Sequence, residues 1–511
     1  MKNKNIISAL TLTLISPLAL QAQSKPNIIL FLVDDMGWQD TSVPFDKVRT
    51  TWNNTYHTPN MEKLALKGVK FTQAYASAIS SPTRVSLMTG MNPTAHRVTN
   101  WTLNRDKSQD QADKTLDFPS WNMNGLQPVG QGISNTIEAT TLPQILQQNG
   151  YYTIHCGKAH FGATTTPGAN PKNLGFDVNI AGHAAGGTAS YLGKKNFGNV
   201  AGAATQTRFA VPGLEKYWGQ DIFLSQALTL EAMAALDTLR AKTPDKPFFL
   251  YMSHYAIHVP LDVDNRYYQK YRDAGLDHSQ AAYASLIEGM DQSLGELSDY
   301  IEKNNLAQNT IIIFMSDNGG LSACGRSGPA NRHNWPLRSG KGSSYEGGTR
   351  VPMIVYDPMI KRRQEIETTP VDITDFMPTI LDMAGVHKYK TVQKLDGKNI
   401  MPLIKGKKLK NAESRLFVWH FPNRWDCSGE GIGTYSAIRQ GDYKFIYFYD
   451  TQKSELYNLA NDLSESRNLA GKAEFEPIRV KLAAELTNYI KQHNGQLPSS
   501  KANGQLCAYP H

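Results

Sequence analysis

Three short runs that are almost wholly apolar set the strongest limit on how this chain folds. They are Asn27–Val33 (NIILFLV), Lys246–Ser253 (KPFFLYMS) and Thr310–Ser316 (TIIIFMS). They lack the polar alternate positions of a half-exposed strand and are bounded like strands, so they read as strands covered on both faces. A mainly parallel sheet with helices on each side gives such cover. A weaker run, Tyr152–Cys156, joins them. Between the runs lie helical patterns. Thr58-Pro59 reads as an N-cap with proline at the first helical position, and Gly68 closes that helix. Residues 221–241 and 279–304 carry apolar side chains at three- and four-residue spacing. The alternation predicts an α/β fold built on a large, mainly parallel sheet.

From Arg415 the pattern changes. Leu416–Trp419, Ser436–Arg439 and Tyr443–Tyr449 read as short strands, and 475–493 as a final helix. They predict a smaller C-terminal α+β domain on an antiparallel sheet. At 511 residues two domains are expected. The boundary falls within 385–412 and is set here at 400, giving a larger domain over 23–400 and a smaller one over 401–511.

The N-terminus has the form of a targeting segment. Lys2 and Lys4 precede an apolar stretch, Ile6–Leu20, and Leu20-Gln21-Ala22 offers a small residue for cleavage. Residues 1–22 therefore read as a signal peptide, with export to the periplasm or beyond. The stretch is too short to anchor the chain and no later run is long enough, so stable membrane insertion is not expected. These 22 residues hold two lysines and no acids, so removing them takes the formal charge from +8 to +6. That excess favours an anionic substrate. It reads as dispersed and not as a nucleic-acid stripe, so nucleic acid is not an expected partner. The four cysteines, 156, 324, 427 and 507, contain no CxxC. Cys427 and Cys507 are candidates to pair in an oxidising compartment, but spacing alone leaves the pairing open.

Ligands of parallel α/β sheets bind beyond the carboxyl ends of the strands. The first run is followed by Asp34-Asp35, the third by Asp317-Asn318-Gly319-Gly320. The Tyr152 run is followed by Gly157-Lys158-Ala159-His160, and the Lys246 run by His254 and His258. Taken singly, each reads as a turn, a cap or a solvated side chain. Together, three carboxylates and the Asn318 amide oxygen make four hard ligands suited to Ca²⁺ or Mg²⁺. Lys158, Lys341 and the two histidines then surround an oxyanion ester. In Ser80-Ser-Pro-Thr-Arg84, Pro82 fits the first turn of a helix beginning after Ser80-Ser81. Ser80 thus lies where free N–H groups and the helix dipole favour negative charge, with Arg84 one turn on.

These residues carry a family resemblance. Ser80-Ser-Pro-Thr-Arg-Val-Ser-Leu-Met-Thr-Gly90 resembles the type I sulfatase signature, C/S-x-P-x-R followed by T-G. Val33-Asp-Asp-Met-Gly37, Gly157-Lys-Ala-His-Phe-Gly162, Ser316-Asp-Asn-Gly319, Arg338-Ser-Gly-Lys-Gly342 and Tyr345-Glu-Gly-Gly-Thr-Arg-Val-Pro352 are similar to its other segments, as are Leu456-Tyr-Asn-Leu and Asn468-Leu-Ala. The resemblance implies an alkaline-phosphatase-like fold and conversion of Ser80 to formylglycine. A hydrated aldehyde offers one hydroxyl to attack sulfur and a second to expel sulfate, whereas plain serine is a weak nucleophile. It further implies one Ca²⁺ per chain held by Asp34, Asp35, Asp317, Asn318 and the modified Ser80. Arg84 would hold the hydrate, Lys158 and Lys341 the sulfate, and His160 would be the base for sulfate release. His258 and Lys341 are candidate acids for the leaving oxygen. Ser80 stands where cysteine is commoner. Serine-type members resemble bacterial enzymes matured by a radical, oxygen-independent system, so a sulfatase-maturating enzyme is an implied partner.

The implied activity is exo-acting removal of O-sulfate from sulfated glycan oligosaccharides. The runner-up is a phosphatase or phosphodiesterase of the same superfamily, whose members use two transition metals and more histidine ligands. A non-catalytic binder of sulfated glycans is the reading if Ser80 stays unmodified. Candidate sugar contacts are His183, within Ala181-Gly-His-Ala-Ala-Gly-Gly187, then Arg332, His333 and Trp335, and Trp425 and Asp426 from the smaller domain.

Overall fold

The apolar runs form the middle of a nine-stranded sheet in a computed structural model that describes residues 25–322 and 333–511. From one edge the order is Glu365–Glu367, Val69–Tyr75, Arg350–Tyr356, Thr310–Ser316, Asn27–Val33, Phe248–Ser253, Tyr152–Gly157, Val178–Ile180, with Val371–Asp372 also paired to Val69–Tyr75. All pairings are parallel except the two made by Arg350–Tyr356. That reversed strand was not expected from its sequence. It contains Pro352, which cannot donate to a ladder, and the register with Val69–Tyr75 shifts between Val351 and Met353 to accommodate it.

Alternate residues of Asn27–Val33 enter different cores. Ile29, Phe31 and Val33 pack with Leu228 and Leu236 of the Leu224–Lys242 helix and with Ile287 and Met290 of His278–Lys303. Ile28, Leu30 and Leu32 pack on the other face with Val85 and Met88 of Ser80–Thr89 and with Ile380 of Phe376–Met383. Both faces are dry, which is why the strand carries no polar alternation. The expected helix after Thr58 runs Pro59–Lys67, capped by Gly68.

Leu416–Phe421, Tyr435–Gln440, Tyr443–Phe448 and Lys453–Asn458 form an antiparallel sheet in chain order. One face, with Ile438, Phe445 and Leu456, covers Leu482, Leu486 and Ile490 of the Glu476–Gln492 helix. The other, with Phe417, Trp419 and Ala437, packs against Tyr75, Ile79 and Tyr345 of the larger unit. The short helix Met401–Ile404 packs in the core of the large sheet, so the change of architecture comes at Leu416. Cys507 is a free, buried thiol while Cys427 is disulfide-bonded, so the candidate Cys427–Cys507 pair does not form. The signal-peptide expectation falls outside the described residues. Among those described, no helix is long and apolar enough to cross a membrane.

Buried charge joins the two sheets. Lys444 Nζ lies 2.9 Å from Glu346 Oε1 and 3.1 Å from Glu465 Oε1, all fully buried. Tyr75 Oη donates to Glu346 Oε2 at 2.6 Å, and Arg439 reaches the same hydroxyl. Removing one partner of such a set leaves an uncompensated buried charge. Lys444→Met is therefore expected to destabilise the protein by about 3–5 kcal/mol, read as a lowered urea midpoint. An unchanged midpoint would show that the network adds no stability.

Candidate active site

Strand register builds the site. Val33 pairs with Ser316, Leu32 with Ser253, and Gly157 with Ser253, so four strands end level. The residues that follow, Asp34, Asp317, His254 and Lys158, emerge side by side. Gly157 has φ 106° and a Cβ there would lie 1.8 Å from the Ser253 carbonyl oxygen, so no side chain fits at this crossing. The close approach lets the Lys158 N–H bond that carbonyl at 2.7 Å. His254 turns the other way. Its Nε2 meets Ser293 Oγ at 3.0 Å and its ring packs on Phe31, so it is a core histidine.

Asp34, Asp35 and Asp317 are buried, with oxygens all within 4.8 Å of one another. Two buried carboxylates at that separation repel by about 3–4 kcal/mol at an effective dielectric near 20. Three cations face them. Arg84 Nε and Nη2 reach Asp317 Oδ2 at 2.9 and 2.8 Å, while Nη1 donates to Ser253 Oγ at 2.7 Å and the Lys158 carbonyl at 3.0 Å. Lys158 Nζ lies 2.7 Å from Asp34 Oδ2, and Lys341 Nζ 2.7 Å from Asp35 Oδ1. Asp35 has φ 61°, a left-handed turn that brings its own N–H to Asp317 Oδ1 at 3.1 Å.

The carboxyls do not titrate alike. Burial and then Asp317 push Asp34 well above the usual range. Burial acts upward on Asp35 and Asp317 too, but Lys341 overrides it at Asp35 and Arg84 at Asp317, so both are lowered. Burial brings Lys158 down to about 8, with Asp34 opposing. Burial lowers Lys341 as well, yet Asp35 raises it overall.

Ser80 is the first residue of the wholly buried helix Ser80–Thr89, two residues earlier than a start after Ser81 would put it. No side chain caps that end. Ser80 Oγ lies 3.2 Å from both Asp34 Oδ1 and Asn318 Oδ1, and Lys158 Nζ donates to it at 3.0 Å. His160 Nε2 sits 2.9 Å from the Thr102 carbonyl and 3.0 Å from Ser81 Oγ. The carbonyl fixes the proton on Nε2 and leaves Nδ1, which has no partner, as the basic nitrogen. Gly186 lies against this ring, since a Cβ there would be 2.3 Å from it. His258 donates through Nδ1 to the Val259 carbonyl at 2.8 Å and holds Nε2 3.8 Å from Asp35 Oδ2. Burial, then Lys341, lowers it to about 3.

Ser80, His160, His258 and Lys341 line one cavity of about 220 Å³. Its wall is apolar, with Trp101, Phe209, Leu321 and Trp425, and Asp426 beside them. Trp425 and Asp426 thus meet the expectation that they reach the cleft. His183 does not line it. That side chain packs near Tyr255, and its carbonyl accepts from the His160 N–H at 3.2 Å. His333 is buried elsewhere, with Nδ1 2.9 Å from Tyr56 Oη and its ring on Trp52. Trp335 is 53% exposed and away from the cavity. Arg332 lies outside the described residues. Sequence reading missed Trp101 and Phe209, which no motif marks. It also missed Ser81, Thr102 and Ser253, which orient His160 and Arg84. Of these Ser81 had a signal, its place inside the Ser80–Arg84 motif, as had Ser253, at the end of an apolar run, whereas Thr102 had none.

Comparison with known proteins places this geometry. A family model described as Sulfatase matches residues 26–386, and one for the C-terminal region of N-sulphoglucosamine sulphohydrolase matches 339–492. A sulfatase from Formosa agariphila is 30% identical, covering 97% of this chain and 95% of its own. The mouse N-acetylgalactosamine-6-sulfatase is 26% identical over 90% of this chain and 79% of its own. The solved structure of Ps i-CgsB in complex with k-i-k-neocarrahexaose superposes with a TM-score of 0.71 at 27% identity, covering 92% and 94% of the two chains.

The clustered oxygens predict linkage between cation and fold. A hard divalent ion at a hundred times its dissociation constant is expected to stabilise the protein by about 2.7 kcal/mol, seen as a rise in unfolding midpoint. Asp317→Asn is expected to abolish most of that rise. A midpoint indifferent to the ion in the unmutated protein would remove the metal site.

Proposed function

Because this chain belongs to the sulfatase family, and is therefore a sulfuric ester hydrolase, we propose that it removes O-sulfate from the terminal sugar of sulfated glycan oligosaccharides. In this reading Ser80 is converted to formylglycine and one Ca²⁺ is held by Asp34, Asp35, Asp317 and Asn318. The observation that carries it is the placement of Ser80 Oγ within 3.2 Å of two of those ligand oxygens and 3.0 Å of the Lys158 ammonium. The donor set fits a hard cation, since every candidate ligand is oxygen and no histidine joins the cluster among the described residues. When bound, the cation would neutralise charge on the sulfate oxygens. The aldehyde would supply, as its hydrate, a nucleophile that unmodified serine lacks.

The chain's own side chains divide the remaining work. Arg84 holds Asp317 and Ser253 and so fixes the floor. Lys158 and Lys341 present ammonium groups to the sulfate, and stronger attraction to the more charged transition state is what lowers a barrier. His160 Nδ1 accepts a proton as sulfate departs. Lys341, raised by Asp35, keeps a proton to give to the leaving sugar oxygen, whereas His258 is neutral with its one proton on Nδ1 and would have to be protonated at Nε2 first. The wall of Trp101 and Trp425 suits the apolar face of one sugar ring. A cavity of about 220 Å³ lined by Ser80 and Lys341 supports action on a chain end. The carbohydrate complexes among its relatives, including Ps i-CgsB with k-i-k-neocarrahexaose, support a glycan as substrate. Ser80 is 3% exposed, so a sulfatase-maturating enzyme would reach it before the helix packs. Residues 1–22 would direct the chain to the periplasm or beyond.

Mass spectrometry of the tryptic peptide 71–84 tests the modification directly. The expected mass is lower than that of the serine peptide by two hydrogens, and a fully serine form in active enzyme rejects the mechanism. Against defined 2-, 3-, 4- and 6-sulfated monosaccharides, turnover of at least one is expected. Turnover of internal sulfates alone would reject exo action. Lys158→Ala is expected to cut kcat/KM by about 10²–10³-fold, and an unchanged value would remove Lys158 from the sulfate site. Chelation is expected to stop turnover, with calcium restoring it.

A further inference from the structure

The positive charge of this chain is not dispersed, contrary to the expectation from its totals. Between positions 388 and 410 there are eight lysines and one acid, Asp396, a net of +7 in a chain whose formal charge is +8. The segment is firmly held. Ile400, Leu403 and Ile404 are buried in the core, and the Asp396 and Gly397 N–H groups bond the Gly90 carbonyl at 2.9 and 3.3 Å. Four carboxylates nearby have cationic partners, Asp396 with His493, Asp375 with Arg415, Asp382 with His387 and Glu365 with Arg362, while Asp372, which also lines the cleft, accepts from the Thr374 N–H. None of the eight lysines makes an ion pair among the described residues. Like charges fixed this closely and left without counter-ions on the protein repel one another, and they attract a polyanion.

Three of these lysines, 394, 398 and 410, border a cleft of about 580 Å³, more than twice the catalytic cavity. Phe417 and Tyr489 also lie among its lining, but Phe417 is buried beneath Arg415 and Tyr489 is stacked on His493, so the exposed charged groups that mark the rim are the three lysines. The two cavities share no lining residue. The Ser80–Thr89 helix connects them. It begins at the catalytic residue and ends at Gly90, which holds the lysine segment, and ten helical residues span about 15 Å.

We propose that this cleft is a second binding site, taking a stretch of anionic polysaccharide bearing sulfate groups. Sulfates would meet the lysines. A concave, polar-rimmed cleft does not suit a lipid surface, which is bound by protruding apolar groups. The choice of polymer rests on the substrate class argued above, whereas the binding itself does not depend on turnover.

Affinity electrophoresis in gels containing dextran sulfate tests the proposal, with neutral dextran as reference. The protein is expected to be retarded by dextran sulfate only, less so as salt rises. K394E/K398E/K410E is expected to weaken retention at least about tenfold, while K242E/K303E/K453E, with the same charge change elsewhere, stays within about twofold. K394A/K398A/K410A is the companion if charge reversal lowers the melting temperature, and the same direction is expected. Equal weakening in both sets would reduce the effect to net charge and overturn the site, as would no weakening in the first. A single-stranded DNA oligonucleotide held as tightly as dextran sulfate would overturn the assignment to polysaccharide. Ester hydrolysis without retention would reject this site alone, and retention without hydrolysis would reject only the catalytic proposal.

Discussion

Three buried carboxylates facing three buried cations form the constraint on which the rest of this structure depends. Asp34, Asp35 and Asp317 repel one another, and Arg84, Lys158 and Lys341 hold them together. None of the six tolerates burial alone. The cluster therefore needs each of the elements that bring them, and those elements are the central strands, the Ser80–Thr89 helix and the loop before Arg350. An arrangement that costs so much to bury and is fully paired without any ligand is ready to exchange partners when an anion and a cation arrive together. In the proposed mechanism Lys158 and Lys341 would then turn from the carboxylates to the sulfate.

The second sheet has a part in this. Tyr345 and Glu346 follow the Lys341 loop directly, and Glu346 is fixed by Lys444 from the antiparallel sheet and by Tyr75 from the large one. Trp425, on the connection between the first two strands of the second sheet, lies with its ring 5.6 Å from Lys341 Nζ. The smaller unit thus forms one wall of the candidate active-site cavity and braces the loop that brings the last lysine. Its outer region, with the lysine-rich segment before it, carries the basic cleft. The Ser80–Thr89 helix touches both: its first residue lines the candidate active site and its C-cap Gly90, with φ 69°, receives the basic segment.

The sequence alone determined a good deal. Short apolar runs without polar alternation, bounded by turn residues, read as strands covered on both faces, so Asn27–Val33 and Thr310–Ser316 were placed to the residue, and Asp34-Asp35 and Asp317-Asn318 after them fell at the carboxyl edge of the sheet by topology. The pairing of Thr58 with Pro59 and of Gly68 with a helix end is local chemistry and was equally readable. Tertiary structure decided what depends on distance in space. His183 and His333 look like Ser81 or Thr102 in one dimension, namely polar residues near a motif, yet only packing sends the first two away from the cavity and brings the second two against His160. The Arg350–Tyr356 strand runs backward because its neighbours leave that slot, a fact that no residue in it records. Cysteine pairing and the cavity walls from Trp101 and Phe209 are likewise long-range. Short-range chemistry is written in neighbouring letters, whereas register, reach and counter-charge arise only when remote segments are folded together.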